Sequence, residues 1–225
     1  MDLRLADYGI TLPDRQLSCA PLSSPEGQDY HGAMCAAANF AWSNRQLISH
    51  RLRECLVRVL GGRCPPERVR LVYDVAHNIA KLEQHDGQCL CVHRKGATRA
   101  FGPGNPETPA AYQAVGQPVF IPGSMGTRSW VLLGTLEAEQ QSLGTVCHGA
   151  GRSMSRTAAR KRITGQELRR QLKDKGILVR GASNRGLAEE APFAYKDVAQ
   201  VVEVVAKAGL ARPVARLRPI GVVKG

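Results

Sequence analysis

The sequence predicts an α+β fold, and three observations predict it. Apolar residues recur at helical spacing over 29–60, short strand-like runs fill the middle of the chain, and two capped helices punctuate the last third. These elements alternate without a regular strand–helix–strand rhythm, which argues against a parallel α/β sheet. The 225 residues suffice for one large domain or two small ones, and a hydrophobic share of 43% allows a core to be buried. Aromatics are 5%, so Leu, Val, Ile and Ala must fill most of it.

The helix over 29–60, or a pair of helices, rests on Ala33, Ala36, Ala37, Phe40, Ala41, Leu47, Leu52, Leu56 and Val59. Gly61-Gly62 ends it and Pro65-Pro66 begins a turn. Val69 to Val75 then reads as a buried strand that runs into His77-Asn78. A further strand is expected at 88–93, followed by basic residues and a Gly/Pro-rich loop at 101–109. Two more, at 117–121 and 129–135, are joined by a loop from Pro122 to Thr127. Thr164-Gly165-Gln166-Glu167 has capping-box spacing and should start a helix that ends near Gly176. A short strand at Ile177 to Arg180, a helix from Tyr195 to Ala208 stopped by Gly209, and a strand from Val214 to Val223 complete the series.

The formal net charge is +12, and the basic residues are spread along the chain. That balance favours a polyanionic partner, most often nucleic acid. The densest basic cluster, Arg152 to Arg162, holds five basic residues. The seven cysteines are odd in number and irregularly spaced, and the N-terminus reads Met-Asp-Leu-Arg-Leu-Ala-Asp. A reduced, cytoplasmic chain without a signal peptide is the simplest reading. No apolar run approaches the roughly 18 residues that a membrane span needs.

Four places offer chemistry. His148 stands in Gly144-Thr145-Val146-Cys147-His148-Gly149-Ala150-Gly151-Arg152. The two following glycines permit a turn whose N–H groups form an anion nest, and Arg152 and Arg156 would share one face if a helix begins there. Two readings of His148 stand at this level: a structural histidine in a tight turn, or a nucleophile toward phosphorus. His77 sits at a strand end, where a rigid backbone suits a metal ligand, although a lone histidine is more often a satisfied polar group. The Pro122 to Ser129 loop suits a phosphate or a base but lacks the P-loop pattern. Val92 to Arg99 reads as a basic turn, either contacting phosphate or solvated.

In order along the chain, these segments resemble the RtcB family of RNA ligases. The resemblance is carried by Pro25 to Tyr30, Ala36 to Arg45, Tyr73 to Lys81, Val92 to Arg99, Pro122 to Ser129, Cys147 to Arg152 and Leu217 to Gly225. It implies RtcB-like mixed sheets flanked by helices, with residues 1–225 forming the C-terminal portion of the ligase domain. It further implies an enzyme that uses GTP and Mn²⁺. Such an enzyme joins an RNA 3′-phosphate or 2′,3′-cyclic phosphate end to a 5′-hydroxyl end in tRNA splicing or RNA repair.

By resemblance, His148 is the guanylylated nucleophile and His77 a manganese ligand. The guanylate-binding positions are His77, Asn78, Pro122, Gly123, Ser124, Met125, Ser129, His148, Gly149, Ala150, Gly151 and Lys224. Arg152 and Arg156 lie near the reacting phosphates. The family's first half also carries an Asp and a Cys ligand, an Asn-His pair and a further His, and none of those motifs is in this sequence. The N-terminal part of the family fold is therefore expected to be absent and this fragment inactive on its own. RNA is the expected partner. An archease-like activator and a missing N-terminal half acting in trans are further possible partners, and no membrane is involved. The alternative reading is a truncated, non-catalytic remnant that binds RNA or guanine nucleotide.

Overall fold

Ser24 begins the longest element. Its side chain accepts the Gly27 N–H at 3.1 Å, Pro25 occupies the first helical position, and α1 runs from Pro25–Leu60 as one 36-residue helix. Gly61 ends it at a positive φ of 54°. The computed structural model describes residues 2–224; Met1 and Gly225, the last residue of the C-terminal resemblance, lie outside them. The chain divides into two compact units, one ending at Asp74 and the other beginning at Val75.

The first unit is α1 with short 3₁₀ turns before and after it. Gly27 is its one buried helical residue, because a Cβ there would fall 2.1 Å from the Pro21 carbonyl oxygen. Phe40, Leu52 and Val59, three of the apolar residues that predict the helix, are exposed. Val69 to Val75 is not a strand: it pairs with no ladder, so its β-branched composition gives at most an extended conformation.

The second unit opens with a hairpin, β1 (Asn78–His85) and β2 (Gln88–Lys95), paired antiparallel from Asn78↔Lys95 to His85↔Gln88. Asp86 and Gly87 both take positive φ, 49° and 76°, as a tight two-residue hairpin turn demands. The basic turn expected at Val92 to Arg99 is instead the end of β2, Gly96 and a third strand, β3 (Ala97–Arg99). Within it Arg94 is buried and grips Glu83 through two bonds of 2.7 and 2.8 Å. The same guanidinium donates to Thr145 Oγ1 and the Leu143 carbonyl, at 2.9 and 2.8 Å. Arg94 thus holds the hairpin together, with its donors engaged by Glu83, Thr145 and Leu143.

Two apolar clusters form the rest. The first lies between a three-stranded antiparallel sheet and a helix. Its strands are β4 (Pro118–Ile121), β5 (Ser129–Gly134) and, after the helix in sequence, β8 (Ala211–Leu217). The helix α6 (Val198–Lys207) buries Val198, Val202 and Val205 there. Each such burial stabilises by about 1.5–3 kcal/mol. Asp197 caps α6 by accepting the Ala199 N–H, so the helix begins at Val198 and not at Tyr195. The second cluster joins Met125 to Leu168 and Leu172 of α4 (Gly165–Asp174) and to Leu187 and Ala188 of α5 (Asn184–Glu189). Thr164 caps α4 through the Glu167 N–H, as its spacing predicts.

Three smaller elements set the site. β6 (Thr145–Cys147) pairs with β3. α3 (Arg156–Arg162) begins at Arg156, so Arg152 lies before it and the two are not neighbours on one helix. The expected terminal strand from Val214 to Val223 is two strands, interrupted at Pro219, which has no N–H to carry a ladder onward. The second, β9 (Gly221–Lys224), pairs in parallel with β7 (Leu178–Gly181). α2 (Leu136–Ser142) was not foreseen in the sequence, nor was α5.

Candidate functional site

The β3–β6 ladder ends with Ala97 opposite Cys147, so the next residue on each side brings Gly96 against His148. His148 Nδ1 bonds to the Gly96 carbonyl oxygen. A carbonyl only accepts, so Nδ1 carries the proton and the neutral ring keeps its lone pair on Nε2. Gly96 takes φ 68°, and a Cβ there would stand 3.4 Å from the His148 ring. Its N–H is shared between the His77 carbonyl at 2.9 Å and Asn78 Oδ1 at 3.0 Å. One glycine therefore ties His77 and Asn78 to His148. The two imidazoles stack, with centroids 4.8 Å apart and planes 3° from parallel.

His148 opens onto a cleft of about 390 Å³, within the range typical of small-molecule sites. Pro122, Gly123, Ser124 and Met125 form one wall, Gly149 to Gly151 the next, and Arg152, Arg156 and Lys224 contribute cations. The structure thus brings together eleven of the fourteen residues that the sequence singles out. His77, Asn78 and Ser129 do not line the cleft. Ser129 stands behind it and accepts the Gly123 N–H at 3.0 Å. Ser124 is pinned likewise, its N–H donating to Thr127 Oγ1 at 2.7 Å. Met125 points its side chain into the second apolar cluster, so it offers the cleft its backbone. Ile121 belongs to the first cluster, which fixes this loop at both ends.

Lys224 reaches the cleft because β9 is anchored: the Ala182 N–H donates to the Lys224 carbonyl at 3.1 Å. Gly151, at φ 75°, accepts the Lys196 N–H at 3.0 Å, and Arg152 bridges to Tyr195 across the same contact. Four lining residues were not anticipated: Glu190, Tyr195, Lys196 and Val198. Tyr195 and Glu190 carried no local motif, because a turn 40 residues downstream of His148 delivers them.

Glu190 organises the charge. It lies 3.5 Å from Arg152, 3.4 Å from Arg156 and 3.9 Å from Lys224, and it accepts the Tyr195 hydroxyl. Burial pushes its carboxyl up, but the Tyr195 bond and the surrounding cations outweigh burial and hold it below the usual value. Burial, and then the Glu190 carboxylate, push the Tyr195 phenol up. Arg152 is already engaged: it donates to the Met154 carbonyl, the Glu189 carbonyl, the Tyr195 hydroxyl and Glu190. Arg156, whose side chain is 65% exposed, Lys196 and Lys224 are the cations with donors still turned to solvent. Burial pushes the Cys147 thiol up, so the neighbour of His148 stays protonated and does not compete as a nucleophile.

The donor set suits a phosphorylated nucleotide: backbone N–H groups in a glycine turn, three open cations and one imidazole. It does not by itself suit a manganese ion. No group of three or more His, Cys, Asp or Glu side chains that could hold a metal ion gathers among the described residues, around His77 or elsewhere. Among the described residues no helix is long and apolar enough to cross a membrane.

Known proteins match the chain over its whole length. The family model for tRNA-splicing ligase RtcB matches residues 1–225. The tRNA-splicing ligase RtcB of Archaeoglobus fulgidus is 56% identical over 229 residues, which cover 100% of the chain and 48% of that protein. The corresponding protein of Thermococcus kodakarensis is 55% identical, covering 97% of the chain and 46% of its own length. That of Pyrococcus abyssi is 54% identical over 100% of the chain and 25% of its length. The chain thus spans about half the length, or less, of these curated relatives.

Proposed function

Since the chain belongs to the RtcB family over its whole length, we propose that it is the nucleotide-accepting portion of an RNA ligase. In this reading His148 takes guanylate from GTP and passes it to an RNA 3′-phosphate, which a 5′-hydroxyl then attacks. The observation that carries the reading is the Gly96 bond to His148 Nδ1. It aims the Nε2 lone pair while the other nitrogen keeps its proton, as a nucleophile toward phosphorus requires. Nε2 bonds to the α-phosphorus as the bond to pyrophosphate breaks, and pyrophosphate leaves with the electron pair. Nε2 is freed when an RNA 3′-phosphate oxygen attacks the guanylate phosphorus and the Nε2–P bond breaks; GMP leaves in the last step, as the 5′-hydroxyl attacks the activated 3′-phosphate.

The rest of the cleft serves positioning and charge, the main needs of such transfers. Arg156, Lys224 and the Gly149 to Gly151 amides hold phosphate oxygens. The Pro122 to Met125 backbone bounds the guanosine. When bound, Mn²⁺ would neutralise phosphate charge. His77 is the residue of this chain that would contribute to it, and its other ligands would come from elsewhere. The unpaired cysteines fit a cytoplasmic setting. An archease-like activator belongs to the same reading.

The test is joining of RNA halves that end in 3′-phosphate and 5′-hydroxyl, with GTP and Mn²⁺. The chain alone is expected to leave them apart. The chain complemented by the N-terminal half of the Archaeoglobus fulgidus relative is expected to join them, losing activity on His148→Ala. No joining by the complemented protein, with both parts folded, would favour the non-catalytic reading.

A further inference from the structure

We propose that a second cleft, beside the first, binds the RNA backbone next to the reacting end; the inference rests on the ligase reading above. The cleft encloses about 470 Å³ and shares Thr127 and Val198 with the first, so the two lie on either side of the loop that ends at Arg128. Arg128, Lys175, Arg216 and Arg218 line it.

None of these four cations forms an ion pair with a carboxylate among the described residues. Arg218 donates only to the Lys175 carbonyl, at 3.3 Å. The acid in the lining, Asp197, accepts the Ala199 N–H as the cap of α6 and pairs with none of the four, so four cations share the cleft with one carboxylate. This contrasts with the first cleft, where Glu190 sits among the cations. Unneutralised cations crowded around one cleft disfavour one another, and a polyanion relieves that repulsion.

An aromatic wall selects among polyanions. Trp130 lies opposite Arg216 in the β5–β8 ladder, and the guanidinium stands 5.6 Å from the indole centroid. The buried indole N–H has no hydrogen-bond partner among the described residues. Cations that track a backbone beside an aromatic ring are what single-stranded nucleic acid uses. An RNA end seated at His148 has this cleft one loop away, so the strand continues into it.

The test compares two double variants of equal charge. Arg128→Ala/Lys175→Ala removes two exposed cations from the cleft. Arg170→Ala/Lys173→Ala removes two exposed cations from α4, outside it. Binding of a labelled single-stranded RNA with a 3′-phosphate is measured over a salt series, and GMP binding is measured separately. The cleft variant is expected to bind RNA about tenfold more weakly and to lose about 1.4 from the slope of log affinity against log salt. The α4 variant and GMP binding should change little.

Equal loss in both double variants would overturn the proposal, because charge in general would then be responsible. It would also be overturned if a poly-glutamate peptide of matched charge bound as tightly as RNA through the same residues. RNA binding that depends on Arg156 and not on the cleft would overturn the proposal while leaving the ligase reading standing. No RNA binding by the unaltered chain would overturn both.

Discussion

At the scale of single residues, Gly96 is the position on which the site's geometry turns. Its φ of 68° lies where an L residue pays about 1–2 kcal/mol, and a Cβ would press on the His148 ring at 3.4 Å. Gly96→Ala is therefore expected to lower the melting temperature by only a few degrees. It should cost far more in guanylylation rate than that loss of stability explains, because the imidazole is turned from its bond. Glu190 makes the opposite kind of prediction. Glu190→Gln keeps the shape and removes the charge that Arg156 and Lys224 now face. Inorganic pyrophosphate should bind several-fold more tightly, as calorimetry would read. One of the five tyrosines should also ionise at lower pH, because the carboxylate that holds the Tyr195 phenol up is gone.

At the scale of elements, the hairpin of β1 and β2 is held by the buried Glu83–Arg94 pair, with side chains 0% and 2% exposed. Removing Arg94 leaves the buried Glu83 carboxylate with only His85 at 3.1 Å and Arg99 at 3.8 Å. Arg94→Met should cost about 3–5 kcal/mol, and Glu83→Met/Arg94→Met should recover much of it. Burial pushes the Glu83 carboxyl up, but the bonds from Arg94 and His85 bring it below the usual value overall. The stability it contributes is present above the unfolded Glu value of about 4.3 and is lost as pH falls through the lower folded one. In Arg94→Met the first of the lowering bonds is gone while His85 and Arg99 remain, so the loss of stability on acidification should be smaller than in the unaltered chain. Thermal melts across pH 3–7 (roughly spanning both values) distinguish the two slopes.

The same elements show what the sequence carries and what it does not. Capping is local chemistry, so the start of α4 at Thr164 and its end near Gly176 were legible from side chains and spacing. Pairing is not local. Val69 to Val75 reads as a strand by composition yet joins no ladder among the described residues. The Asp86-Gly87 turn, with both residues at positive φ, fixes the hairpin locally. Arg94 shows the same limit in a side chain. Its basic neighbours suggest a surface loop, while its partners lie 11 and about 50 residues away in sequence. The cleft was legible where motif residues were contiguous, from Pro122 to Met125 and from His148 to Arg152. Glu190 and Tyr195 were not, because only folding places them beside Lys224.

At the scale of the whole molecule, the chain spans about half the length, or less, of relatives that share its family. Phe40, Leu52 and Val59 expose apolar surface on α1, which in solution is expected to bind a hydrophobic dye or to drive self-association. Adding the N-terminal half of a relative should suppress either signal if that surface is its seat. The account's central claim, however, is that His148 accepts guanylate through Nε2. The most direct measurement is labelling by GTP radioactive in the α-phosphate, in the complemented protein, for the unaltered chain and for His148→Ala, with the adduct located by mass spectrometry. The account predicts an acid-labile GMP adduct on His148 and none in the variant. GMP that persists on the folded His148→Ala chain, or maps to another residue in the unaltered one, would contradict it.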